Sequence, residues 1–136
     1  MSTDIDPTRL LAAAAAASKQ AYAPYSKYHV GAALWTSDGE IIAGCNVENA
    51  SYGLTNCAER TAVFAAVAAG VREFRAVAVV SSGSPPPYPC GACRQVLAEF
   101  CAPDCPVFIA DRDRLDEAVT TTVGNLLPHS FSFGPE

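Results

Sequence analysis

Two short stretches hold residue types that could do chemistry together: Cys57-Ala58-Glu59-Arg60 and Pro89-Cys90-Gly91-Ala92-Cys93-Arg94-Gln95. A C-x-x-C pair is a common metal clip, because its two thiolates sit about one helical turn apart and can reach one ion. Alone, Cys90 and Cys93 fit a redox pair equally well. Cys57 shifts the balance. Three protein ligands around a tetrahedral zinc leave one position open for water, the pattern of catalytic sites. Cys57 and Cys90 both fall at predicted helix starts, where unpaired N–H groups and the positive dipole end stabilise thiolates. Glu59 lies two residues after Cys57, a spacing that points side chains apart in a regular helix. At the first turn, with Cys57 barely helical, both can face one pocket. A carboxylate beside an activated water can take its proton and return it elsewhere. Three thiolates exceed the charge of Zn²⁺ by one, and Arg60, next to the site, could donate hydrogen bonds to them and withdraw that excess.

The same residues admit other readings. Asn56-x-x-Glu59 has the spacing of a capping box. Cys57 could be a small buried hydrophobe. A closed structural zinc would need a fourth ligand from Cys45, Cys101, Cys105, His29 or His129. His29 falls in a predicted strand and His129 near the tail, and neither has ligand spacing to the clip. Six cysteines in a short secreted chain would suggest disulfides. The N-terminus carries Asp4 and Asp6 and no basic n-region, so it does not look like a signal peptide. Metal binding or catalysis in the cytoplasm is therefore the expectation.

The elements that must position these groups follow from local signals. Asp6-Pro7 starts a helix, with Asp as N-cap and Pro at the first helical position. The alanine-rich stretch carries that helix to about Tyr22, and Pro24 breaks it. His29 to Thr36 and Ile41 to Val47 read as strands joined by a hairpin turn with Asp38-Gly39 as its signal. Residues 49–56 are a polar loop. Cys57 to Ala69 is a helix stopped by Gly70. Phe74 to Ser81 is a buried strand, and residues 82–89, with four prolines, form a loop. Gly91 to Phe100 is a helix, Pro106 to Ala110 a strand, and Ala118 to Thr122 a further strand before Leu126-Leu127-Pro128. Strands alternating with helices imply a mixed α/β sheet covered by helices, in one domain spanning residues 1–136.

Composition narrows the class. The chain has 136 residues, half of them hydrophobic and 17% charged, which suits one packed core. No apolar run reaches the roughly 20 residues needed to cross a bilayer, so no membrane partner is expected. The formal net charge of −5 and the absence of a basic stripe argue against nucleic acid as the main partner. If the substrate is a nucleobase, a free nucleoside is favoured over a polymer.

At C-A-E-R followed by P-C-G-x-C-R-Q, the sequence resembles the cytidine deaminase family in its small homotetrameric form. The resemblance runs from Tyr22-Ala23-Pro24-Tyr25-Ser26 to Leu126-Leu127-Pro128. It implies a three-layer α/β/α fold around a mixed five-stranded sheet. It also implies hydrolytic deamination of cytidine and 2′-deoxycytidine in pyrimidine salvage. Cys57, Cys90 and Cys93 then look like the ligands of one Zn²⁺ per chain, and Glu59 like the proton shuttle. Asn46-Val47-Glu48-Asn49 is similar to the family's ribose-binding segment, with Asn46 and Glu48 on the sugar hydroxyls. The backbone of Ala58 would contact the pyrimidine. Phe131 matches an aromatic sent from a neighbouring subunit to cover the base, and Tyr52 follows the same pattern. Tyr28 stands where the family usually has Phe, so its aromatic face suits the substrate while its hydroxyl needs a partner if buried. Relatives that deaminate blasticidin share the zinc motif without the ribose segment, which favours a nucleoside here.

Overall fold

The computed structural model describes residues 4–83 and 85–133, so the ends of the expected domain and residue 84 lie outside the described residues. The chain runs α1 (Pro7–Ser18), β1 (Val30–Thr36), β2 (Ile41–Cys45), α2 (Ala58–Ala68), β3 (Phe74–Ser81), α3 (Gly91–Phe100), β4 (Pro106–Asp111), β5 (Val119–Thr122) and α4 (Val123–Leu126). The five strands form one sheet in the order β2-β1-β3-β4-β5. Only β3 and β4 are parallel, with α3 as their crossover; the other pairs are antiparallel. The sheet is mixed, as expected.

The period-2 pattern of the strands places a helical layer on each face. Ala32, Leu34, Val77, Val79, Val107 and Ile109 face α2, α3 and α4, meeting Ala62, Val63, Leu97 and Val123. Ala33, Trp35, Ala76, Ala78, Val80 and Ala110 face α1 through Leu10, Leu11 and Ala14. Each fully buried Val or Leu contributes roughly 1.5–3 kcal/mol, so these two clusters supply most of the drive to fold. No helix among the described residues is long and apolar enough to cross a membrane.

Helices come unusually close to the sheet at two glycines. A Cβ on Gly31 would sit 1.9 Å from the carbonyl oxygen of Ala14, in α1. One on Gly44 would sit 2.5 Å from the backbone nitrogen of Ala62, in α2. Backbone meets backbone at both places, which fixes the seat of α2 and hence of the residues at its start.

Local signals set most boundaries. Asp6 accepts from the N–H groups of Thr8 (3.1 Å) and Arg9 (3.3 Å), capping α1. Gly39 has φ +87° in the hairpin turn, where a side chain would be strained. The expected run of α1 to about Tyr22 is too long, for a tertiary reason. The Tyr22 N–H donates to the Asn46 carbonyl (3.0 Å) and its carbonyl accepts from the Glu48 N–H (2.8 Å). Extending the sheet edge satisfies those groups, so the alanine helix stops at Ser18. The loop 49–56 contains a short 3₁₀ turn at Tyr52–Leu54. Its last residue, Asn56, exchanges two backbone hydrogen bonds with Val47, each 2.9 Å long. The Leu126-Leu127-Pro128 element is the end of α4, whose N-cap Thr122 accepts from the Asn125 N–H at 3.1 Å.

Candidate active site

Two helix starts converge at one end of a cleft. Cys57 is the N-cap of α2 and Cys90 the N-cap of α3, both in extended backbone and neither using its side chain to cap. Cys93 lies in the first turn of α3. The three Sγ atoms lie within 4.8 Å of one another, and Cys57 and Cys90 are 3.7 Å apart. Cys93 is buried, Cys57 half-buried and Cys90 exposed. Three soft sulfur donors at this spacing suit one tetrahedral zinc with a position left open. Among the described residues no fourth histidine, cysteine or carboxylate joins the cluster. Cys101 and Cys105 lie in the core of the sheet's other end, with Phe74. A closed structural site is thus excluded within the described chain.

The electrostatics of the cluster favour a cation. The Cys57 thiol is pulled down to about 5, first by a hydrogen bond with Cys93 and then by the guanidinium of Arg60. Arg60 Nη2 donates to Cys57 Sγ at 3.3 Å. The same thiol–thiol bond, together with burial, raises Cys93. A proton held between crowded sulfurs marks a place where a metal ion can replace it.

Glu59 is 4% exposed and lines the same cleft. Burial pushes its carboxyl up to about 7, and the neighbouring Cys57 adds to the rise. A group poised there can both take and give a proton near neutrality. The capping-box reading fails, because the backbone N–H of Asn56 is committed to the Val47 carbonyl and the N-cap is Cys57. Extended backbone at Cys57 lets it and Glu59 face one space despite their two-residue separation.

The cleft, about 240 Å³, runs from Cys57, Ala58, Glu59 and Cys90 to Asn46 and Glu48. Asn46 is buried. Its Oδ1 accepts from the Val30 N–H (2.8 Å) and its Nδ2 donates to the Tyr28 carbonyl (2.9 Å). One amide hydrogen and one lone pair remain for a ligand. Glu48 accepts from the N–H groups of Tyr25 (3.0 Å) and Ser26 (3.1 Å) and from the Ser26 hydroxyl. The Ser26 hydroxyl bond, with these amides, lowers the Glu48 carboxyl, so it is an anion ready to accept from hydroxyl groups.

Tyr28 lines the cleft, and its hydroxyl has its partner: it donates to the Pro85 carbonyl at 2.6 Å. Ala58 is fully buried in the lining. Tyr52 and Phe131 lie outside it in this chain. Tyr52 is 74% exposed and packs edge-on against Tyr25 at 5.8 Å. Phe131 is 68% exposed and touches Phe133, while its carbonyl accepts from Gln95 at 3.5 Å. Sequence reasoning missed Ser26, Val30, Thr55, Pro87 and Tyr88, which complete the lining. The only advance signal for Pro87 and Tyr88 was their place just before the C-x-x-C clip.

Comparison with known proteins agrees with this geometry. A family model described as the cytidine and deoxycytidylate deaminase zinc-binding region matches residues 5–109. A cytidine deaminase of Sporosarcina psychrophila is 53% identical, over 94% of this chain and 93% of that protein. A blasticidin-S deaminase of Bacillus cereus is 34% identical, over 79% of each. The crystal structure of a cytidine deaminase from Burkholderia pseudomallei superposes with a TM-score of 0.87 at 51% identity, covering 93% of this chain and all of that one.

Proposed function

The chain belongs to the cytidine and deoxycytidylate deaminase family, a zinc-dependent hydrolase with one Zn²⁺ per chain, and from that premise we propose that it converts cytidine and 2′-deoxycytidine to uridine and 2′-deoxyuridine with release of ammonia. The observation that carries the reading is the cleft itself. Two sulfurs of the three-sulfur cluster and a buried carboxylate line it together with Asn46 and Glu48. A pyrimidine bound against the sulfurs and Glu59 would offer its sugar to Asn46 and Glu48. Cytidine deaminases at 53% and 51% identity support the nucleoside.

Cys57, Cys90 and Cys93 would hold the zinc. Bound there, it supplies Lewis acidity that makes water acidic enough to lose a proton near pH 7. Glu59 takes that proton on a carboxyl oxygen and passes it to N3 of the pyrimidine. C4 becomes electrophilic and the water oxygen adds to it. Glu59 then carries the second water proton to the amino group, the C4–N bond breaks and ammonia leaves. One water is consumed for each ammonia released. Burial of Glu59 keeps bulk water from competing for these protons. The backbone of Ala58 holds the base, Tyr28 stacks beside it, and Asn46 and Glu48 bind the sugar hydroxyls. Arg60 offsets the excess charge of the thiolates.

Residues 1–136 form one domain in this reading, acting as a homotetramer in which Phe131 and Tyr52 reach a neighbour's cleft. Their exposed rings support that arrangement. Six unpaired cysteines suit a reducing cytoplasm, where the enzyme would recover free pyrimidine nucleosides. The deciding experiment is Glu59→Gln. The variant is expected to fold and keep one zinc while losing at least about 10²–10⁴-fold in turnover, the scale of positioned acid–base catalysis. A fully active Glu59→Gln protein with ammonia release intact would overturn the assignment.

A further inference from the structure

We propose that Tyr28 is a positioning residue that clamps the proline-rich wall of the cleft through its hydroxyl. That wall, of which residues 82, 83 and 85–89 are described, lies between the end of β3 and Cys90 and puts Pro87 and Tyr88 into the lining. Its four prolines donate no backbone hydrogen bonds, so it has few ways to tie itself down. The Tyr88 N–H is spent locally on the Pro86 carbonyl at 2.9 Å. The two ends are anchored. His29 and Ser82 pair at the start, through bonds of 2.8 and 3.1 Å. At the other end the Pro89 carbonyl accepts from Arg94 Nε at 2.6 Å. Between these anchors the Gly83 carbonyl accepts from the neighbouring Ser81 hydroxyl at 2.6 Å, and the 2.6 Å bond from the Tyr28 hydroxyl to the Pro85 carbonyl ties the segment to the opposite wall.

The other side of Tyr28 leads to the polar end of the cleft. Its carbonyl accepts from Asn46 and its N–H donates to the Ser26 hydroxyl at 3.0 Å, which in turn donates to Glu48. One residue therefore joins the Asn46–Glu48 wall to the proline wall. A ligand lying between those walls meets a cleft already held at its bound width. Pre-ordering of this kind lowers the entropy lost on binding and leaves the proton transfers untouched. The substrate half of the inference rests on the nucleoside reading above; the clamp does not.

The test is Tyr28→Phe, which keeps the ring and deletes only the clamping donor. Amide exchange by mass spectrometry is expected to speed up at Tyr88 relative to the native protein, with zinc content unchanged. KM for cytidine is expected to rise about three- to tenfold, the scale of one lost hydrogen bond, with a smaller fall in kcat. Native exchange in that segment, or a KM within about twofold of native, overturns the proposal. If the native protein fails to turn over cytidine, the functional reading falls, and the exchange measurement still decides the clamp.

Discussion

Arg60 governs how much negative charge the sulfur cluster carries. It donates to Cys57 Sγ, and its Nε is buried without a hydrogen-bond partner among the described residues. Removing the guanidinium leaves only the helix starts to offset the excess charge of three thiolates and takes away a hydrogen bond that orients Cys57. Arg60→Ala is expected to hold zinc about 10–100-fold less tightly, the usual effect of losing a ligand's hydrogen-bond partner. Competition with a chromogenic chelator measures this, and native retention would deny Arg60 the role. At this scale the cluster was legible in the sequence because Cys90 and Cys93 are neighbours on one helical turn and Cys57 starts a helix. Asn46 and Glu48 were not: two polar residues at a strand end look the same whether they bind a sugar or face water. Only the family resemblance marked them. Ser26, Thr55, Pro87 and Tyr88 reach the cleft from loops whose approach is set by the packed sheet, so no spacing in the sequence points to them.

Among the elements, α1 and α2 show where sequence patterns decide and where packing does. The apolar runs of β1 and β3, buried on both faces under helices, were legible as strands. The end of α1 was not, because alanine propensity is weaker than the backbone pairing of Tyr22 with residues 46 and 48. Gly31 and Gly44 carried no readable signal either, since a glycine inside a strand can mark a bulge or a close approach. Here both are close approaches. Gly31→Ala would force α1 off β1, because its new methyl would meet a backbone carbonyl rather than a side chain that can turn away. The expected cost is about 1–3 kcal/mol or more, read as a lower urea midpoint with an unchanged slope. An unchanged midpoint would mean that α1 tolerates a wider seat than the structure shows.

For the molecule as a whole, the exposed rings of Tyr52 and Phe131 suggest that one chain does not finish its own cleft. If a neighbour's Phe131 covers the base, activity per chain is expected to fall sharply on dilution below the assembly constant. Phe131→Ala is expected to raise KM while the diluted monomer keeps its fold. Sedimentation in parallel with ammonia release checks both, and a fully active monomer would contradict the arrangement. The acidic charge and the absence of a basic stripe were legible from composition alone, whereas the expectation of assembly came only with the family resemblance, because an exposed aromatic in a tail reads equally as a loose end. The placement of the sulfurs has one more consequence, in the topology of the chain. Cys57 and Cys90 are 33 positions apart, with α2 and the central strand β3 between them along the chain. An ion shared between them closes a loop that contains α2 and the central strand β3. Held by the folded chain and released by the unfolded one, the ion ties these elements together and shifts the equilibrium towards the fold. The catalytic metal is thus also a staple, and part of its binding free energy is folding free energy.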